Sequence, residues 1–180
     1  LDKAAEFGVE VDSDEARAIV LQIKEMEAEG FSFEAGEASM SLLLRRLKPS
    51  YKPPFEQVGF TTWISHMENG RMISDASVKI RIDGEVFHTA AEGNGPVNAL
   101  SLALRKAFFD KFPQLQTVHL TDYKVRILDG TNGTSARVRV LIDFIDGERT
   151  WSTVGASENI IEASWRALTD SYEYALLSSD

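Results

Sequence analysis

The sequence predicts an α+β domain, a pseudo-twofold βββα-βββα fold over residues 51–180, preceded by a short helical connector over residues 1–50. Three observations carry this. Residues 76–112 read strand, Asp83-Gly84 turn, strand, glycine corner, amphipathic helix, and residues 136–177 read the same with Asp146-Gly147 as the turn. The local spelling echoes too, ASVKIRI at 76–82 against ARVRVLI at 136–142. Finally, Pro49, Pro53 and Pro54 mark a linker where helix is disfavoured, setting the repeat apart from what precedes it. Two copies of so long a period are too few for a solenoid. They suggest instead two halves whose seam can take a small ligand or a partner subunit.

Taken in order, Asp12 opens the first helix with capping-box spacing to Glu15. Ala16, Ile19, Val20, Ile23 and Met26 form its apolar stripe, and Gly30 closes it. A second helix is expected over residues 34–47, with Leu43, Leu44 and Leu47 apolar and Arg45 and Arg46 suited to its C-terminal dipole. Two such short helices cannot bury their stripes against each other alone, so they are expected to pack elsewhere, on a segment outside this sequence or on the repeat. In the first half, residues 56–65 alternate through Val58, Phe60, Thr62 and Ile64, and Asn69-Gly70 supplies a hairpin turn. Strands over 74–82 and 85–91 follow, then a helix from Pro96 with Val97, Leu100, Leu104, Ala107 and Phe108 on one face, stopped at Phe112-Pro113. In the second half, residues 118–128 alternate with Tyr123, Val125 and Ile127 opposite Lys124 and Arg126, and the loop 129–133 turns the chain. Strands over 135–144 and 148–154 lead to a last helix that Ser157 caps, with a seam through Ile160, Ile161, Ser164, Ala167, Leu168, Ser171, Tyr172 and Ala175.

Composition narrows function. A formal net charge of −9 opposes binding to a phosphate backbone, so no nucleic-acid partner is expected. Lys79, Arg81, Arg137 and Arg139 alternate along strand faces and read as solvated. With no cysteine there is neither a disulfide nor a thiolate nucleophile, which fits a reducing, cytoplasmic setting. No apolar run approaches the roughly 20 residues of a membrane span. Leu1 begins abruptly and reads as a cut edge rather than a natural start.

Catalytic constellations are not apparent. His66, His88 and His119 fall on three different strands without the close spacing of a metal pair. No Gly-x-Ser-x-Gly elbow occurs, and the carboxylates Asp14, Glu15, Glu25, Glu27 and Glu29 sit on a solvated helix face. The stretch EGNGPVNAL at 92–100 lacks the full glycine pattern and lysine of a phosphate loop. Gly93 and Gly95 nevertheless allow a sharp turn, and Pro96 starts a helix whose N–H groups and dipole favour a carboxylate. Residues 155–160 offer a matching opening. Two helix starts in an apolar surround would suit a branched-chain amino acid, and both stretches read equally well as plain tight turns.

These motifs also carry a resemblance. GNGPVNAL at 93–100, LTDYKV at 120–125 and ARVRV at 136–140 resemble the C-terminal regulatory (dimerisation) domain of the 2-isopropylmalate synthase family. WSTVG at 151–155, SENIIEASW at 157–165 and GFSFEAGEAS at 30–39 look more like the citramalate synthase branch. The resemblance implies a parent that condenses acetyl-CoA with a 2-oxo acid on a divalent-metal-dependent (β/α)₈ barrel absent from this sequence, so the chain itself is expected to be catalytically silent and to hold no cofactor. It implies a homodimer over residues 51–180 and a feedback effector near the dimer interface: isoleucine in the citramalate branch, leucine in the other. Carried over by motif, the effector residues are Asn94, Pro96, Val97, Asn98, Leu120, Tyr123 and Val138, with 158–160 a further corner. Helix starts and Asn94 would hold the carboxylate, Asn98 with Asp122 the ammonium, and Val97, Leu120, Tyr123 and Val138 the side chain. The apolar members equally suit a plain core role. Asn98 stands where some relatives carry an acid, and a neutral amide holds an ammonium by about 1 kcal/mol against about 1.5–3 for a charged acceptor. A dimerisation module that binds nothing is the reading from another class.

Overall fold

The computed structural model describes residues 13–128 and 130–178. Leu1 and Asp12, and with Asp12 the capping box, lie outside them, as does Asp129. Among the described residues the order is α1 (Ser13–Ala28), α2 (Glu37–Arg46), β1 (Glu56–His66), β2 (Met72–Ile82), β3 (Glu85–Gly93), α3 (Pro96–Phe108), β4 (His119–Ile127), β5 (Val138–Ile145), β6 (Thr150–Ser157) and α4 (Ile160–Leu177). Short 3₁₀ segments occupy Pro113–Thr117 and Gly130–Ser135. The strands form two three-stranded sheets, β1-β2-β3 and β4-β5-β6, which is the α+β, βββα-βββα pattern the repeat predicts. No helix among the described residues is long and apolar enough to cross a membrane, which leaves strand-built membrane folds untested.

The chain groups into two compact bodies. One takes the residues up to Lys52 together with Leu120–Tyr174, the other Pro53–His119 with the last few residues. The described part of the connector therefore belongs with the second half of the repeat, a grouping that cuts the chain elsewhere than at residue 50.

In the body holding the first sheet, β1, β2 and β3 pair antiparallel. The β2–β3 turn places Asp83 at φ 49° and Gly84 at φ 82°, the doubly positive geometry of a type I′ hairpin that Asp-Gly favours. Ala76, Val78, Ile80 and Ile82 alternate onto the buried face of β2 and meet Leu100, Ala103, Leu104 and Phe108 of α3. Phe55 closes the end, its ring 4.8 Å from that of Phe108. The helix stops at Phe108, earlier than Phe112-Pro113, because the chain turns at 109–111 and Pro113 starts the 3₁₀ segment.

In the other body, Val140, Ile142 and Phe144 of β5 and Trp151 and Thr153 of β6 face α4. Gly155 permits this packing: a Cβ there would lie 2.0 Å from the Ala163 carbonyl oxygen. The opposite face, with Leu141, Val154 and Ala156, is covered by α1 and α2 through Ile19, Ile23, Met26, Phe31, Phe33, Met40, Leu43 and Leu44. The connector stripes thus find their partner within this chain. Val20 does not join them and is 51% exposed, since it lies a quarter turn off the Ile19–Ile23–Met26 line. The second helix starts at Glu37, not residue 34, because residues 33–35 form a turn closed by the Ala35 N–H donating to the Ser32 carbonyl.

Register corrects the alignment of the repeat. Thr89 Oγ1 donates to the Ala103 carbonyl at 2.7 Å, and Thr153 Oγ1 donates to the Ala167 carbonyl at 2.8 Å. Both members of the bond recur 64 positions later (89 to 153, 103 to 167), as does the helix start, Pro96 to Ile160. Ala76 therefore matches Val140, not Ala136. The echo in spelling slips by four residues because β5 and β6 are joined by four residues, 146–149, where β2 and β3 have two.

Candidate functional site

The residues singled out from sequence fall in both bodies. Asn94, Pro96, Val97 and Asn98 lie together at the start of α3; Leu120 and Tyr123 on β4 and Val138 on β5 belong to the other body. Each group is described within its own body.

At the α3 start, Gly95 is the N-cap residue and no side chain caps the helix, so the first-turn N–H groups of Val97 and Asn98 meet no capping acceptor. Pro96 opens the helix without an N–H to satisfy. The Asn94 backbone N–H donates to Asn98 Oδ1 at 3.0 Å, folding residues 94–98 into a closed corner. Gly93 is required for that closure, because a Cβ there would sit 2.7 Å from Asn98 Oδ1 and 2.5 Å from the Ala99 nitrogen. Asn98 thereby acts as a shaping residue, and the oxygen expected to receive an ammonium already accepts one hydrogen bond. Asn94 and Asn98 are exposed, Pro96 and Val97 half-buried.

On β4, Leu120 and Tyr123 are half-buried, as is Val138, which pairs with Ser157 of β6. The Ser164 hydroxyl donates to the Ile160 carbonyl at 2.6 Å, so the Tyr123 hydroxyl donates to Ser164 at 2.9 Å and keeps its lone pairs free to accept. Asp122 is held by Lys124 at 2.5 Å and by the Tyr123 N–H; the Lys124 hydrogen bond keeps its carboxyl below the usual range, hence anionic. Val125 and Ile127, expected on the packed face, are 41% and 61% exposed, because they run along the strand past what α4 covers.

The second helix start is built differently. Asn159, not Ser157, caps α4, its Oδ1 accepting from Ile161 N–H at 2.8 Å. Ser157 works one step earlier, accepting from Asn159 N–H and donating to Glu162 at 2.7 Å, which holds Glu162 below the usual carboxylate range. A polar groove of about 400 Å³ lies here between Arg137 and Arg166 on one side and Glu158 and Glu162 on the other. Arg166 is already engaged with the Ala156 carbonyl and Glu162. The corner at 158–160 is thus internally satisfied, unlike its counterpart at 94–98.

A polar cluster that sequence reading missed joins the connector to α4. Arg46 contacts Asp170 at 2.7 Å and Glu173 at 2.8 Å, and Tyr51 donates to Glu173 while Ser39 donates to Asp170. Burial works against the Arg46 cation, yet the hydrogen bonds and charges of Glu173 and Asp170 outweigh it and hold its pKa above the usual arginine value. Burial pushes the Asp170 carboxyl up, with Arg46 opposing. The available signal was two carboxylates three apart beside the apolar seam of the last helix.

A duplicated βββα domain whose two helix starts differ in this way defines a class of binding or assembly domain, not a catalytic one. Residues 34–176 match the LeuA allosteric (dimerisation) domain, and the chain belongs to that family. It is 46% identical over 99% of its length to an (R)-citramalate synthase from Aquifex aeolicus and 45% identical over all of it to one from Geobacter sulfurreducens. A 2-isopropylmalate synthase from Methanocaldococcus jannaschii is 34% identical over 59% of the chain. The chain spans about a third of the length of these citramalate synthases, 34% and 35%.

Proposed function

We propose that this chain is the allosteric region of a cytoplasmic (R)-citramalate synthase and that it binds isoleucine as a feedback inhibitor. The observation that carries the reading is the sustained identity to (R)-citramalate synthases across the whole chain, against a shorter match to the 2-isopropylmalate synthase. The parent would condense acetyl-CoA with pyruvate as an acyltransferase of isoleucine biosynthesis. Its divalent metal and catalytic groups are assigned to the barrel outside this sequence, and this chain's part is binding and homodimerisation.

The uncapped start of α3 supports a carboxylate-receiving role for the Val97 and Asn98 N–H groups, where the helix dipole adds about 0.3–1 kcal/mol. Asn94, Pro96 and Asn98 keep that corner in shape. Leu120, Tyr123 and Val138 are assigned to the effector side chain on the same test, and anionic Asp122 to its ammonium. Inhibition needs only differential affinity for two states, typically about 1–3 kcal/mol. The connector, packed on β6 and tied to α4 through Arg46, is the proposed relay; deleting residues 1–48 from the full parent should uncouple inhibition.

Calorimetric titration with isoleucine, leucine and valine tests this. Isoleucine preference, reduced by Val97→Ala and Tyr123→Ala, is expected. Leucine preference would move the parent to the 2-isopropylmalate branch, and no heat from any of them on a folded dimer would leave dimerisation alone.

A further inference from the structure

The face of the first sheet that points away from α3 is solvent-exposed, and its residues fall into three cross-strand rows. The middle row is Thr61, Ser77 and Ala90, all small. The row on one side is Trp63, Asp75 and Glu92; the row on the other is Gly59, Lys79 and His88. Alternation along β2 fixes this face, since Ala76 and Val78 between these residues are fully buried against the helix side. Trp63 is 54% exposed, an unusual position for an indole on a single chain. Among the described residues neither Asp75 nor Lys79 forms a salt bridge, whereas Glu92 also pairs with Arg71 at 3.0 Å and His88 lies 2.6 Å from the Ser77 hydroxyl.

We propose that this face is the surface on which a second copy of the chain docks, sheet against sheet about a twofold axis along the Thr61–Ser77–Ala90 row. The inference rests on the dimerising role and assigns it a surface. Such an axis reverses strand direction and keeps strand order, so it exchanges the two outer rows. Asp75 then faces Lys79 of the partner subunit, Glu92 faces the partner's His88, and Trp63 faces the partner's Gly59. Each pairing is complementary. Opposite charges meet twice in each half, and the largest side chain falls on a position that has none and where a Cβ would meet nothing within 4 Å. The small middle row lets the two sheets approach to the roughly 10 Å of face-to-face packing. An isologous interface demands this self-complementarity, and a buried aromatic with flanking charge pairs is what anchors such contacts. The equivalent face of the second sheet is apolar at Leu141, Val154 and Ala156 and already covered by α1 and α2, so it offers no second docking surface of this kind.

Sedimentation velocity over a concentration series tests the assignment, using the 180-residue chain, Asp75→Lys, Lys79→Asp, and Leu21→Asp on exposed α1 as control. The unmodified chain and the control should be dimers. Each charge variant alone should set like charges against each other twice and weaken self-association by about tenfold or more. Their equimolar mixture should restore a dimer, because in the mixed pair position 75 of each chain again opposes an unlike charge at position 79 of the other. Trp63→Ala should weaken the dimer without changing the thermal unfolding of the monomer. If the unmodified chain is a dimer and both charge variants dimerise equally well, the face is wrong while the dimerising role stands. A chain that is monomeric at every concentration would remove the dimerising role, and this inference with it.

Discussion

The two halves of this molecule share a frame and differ in what finishes it. Each has three antiparallel strands, a helix lying on one face, and a threonine that ties the third strand to a helical carbonyl 14 residues on. The second half is closed off within its own body. Its outer sheet face is apolar and sealed by the connector, and its helix start is capped by Asn159. The first half leaves both features open: its helix start has no side-chain cap, and its outer sheet face carries charge and an exposed Trp63. Duplication followed by this division of labour lets one copy provide the anchorage for a connector while the other keeps surfaces for ligand and partner.

The comparison breaks first in the cores. Leu104 and Leu168 are equivalent and fully buried, and alanine at either should cost about 2–5 kcal/mol in chemical unfolding; a large loss at one and none at the other would show that the halves are not equivalent in packing. Arg46→Met comes next. It strands two largely buried carboxylates, and because Arg46 is itself about a third exposed the loss should be about 2–3 kcal/mol, short of the full cost of breaking a buried pair. Gly155→Ala should cost about 1–3 kcal/mol because the new methyl meets the Ala163 carbonyl, whereas the equivalent first-half position is already alanine, Ala91, so α4 rides closer to its sheet than α3 does.

Smaller effects sharpen the picture. Thr89→Val should cost about 1 kcal/mol and Thr153→Val more, because Thr153 also bonds the buried Ser171 hydroxyl at 2.6 Å. The smallest is a pH effect at Asp170. Its pKa in the fold is raised by burial, so the stability it contributes is fully present below its ordinary value of 3.8 and lost as pH rises through the raised one. Asp170→Asn, which cannot ionise, should therefore gain on the unmodified chain as pH climbs from 3.8. A pH-independent difference between the two would contradict the buried-carboxyl account.

Much of this frame was legible in the sequence because it depends on local chemistry. Asp83-Gly84, Asn69-Gly70 and Pro96 each dictate backbone geometry without help from distant residues, and the turns and helix start fall there. What escaped was decided across the chain. The repeat was aligned four residues out because spelling was compared without knowing that the second turn holds two extra residues. Val20 and Val125 have apolar spelling in exposed places, since periodicity says which face is apolar and not how far a partner element reaches. The Arg46–Asp170–Glu173 cluster joins residues more than 120 positions apart, and only the fold brings them together. At the candidate site, the corner 93–98 was readable from its glycines and proline, while the role of Asn98 in closing that corner was not.

The most direct test of the account is hydrogen–deuterium exchange of the chain with and without saturating isoleucine, comparing the two helix starts. New protection at residues 93–99 with none at 157–163 is the predicted result, since only the first start has backbone N–H groups without a side-chain acceptor. Equal protection at both starts, or protection confined to 157–163, would contradict the division of labour between the halves.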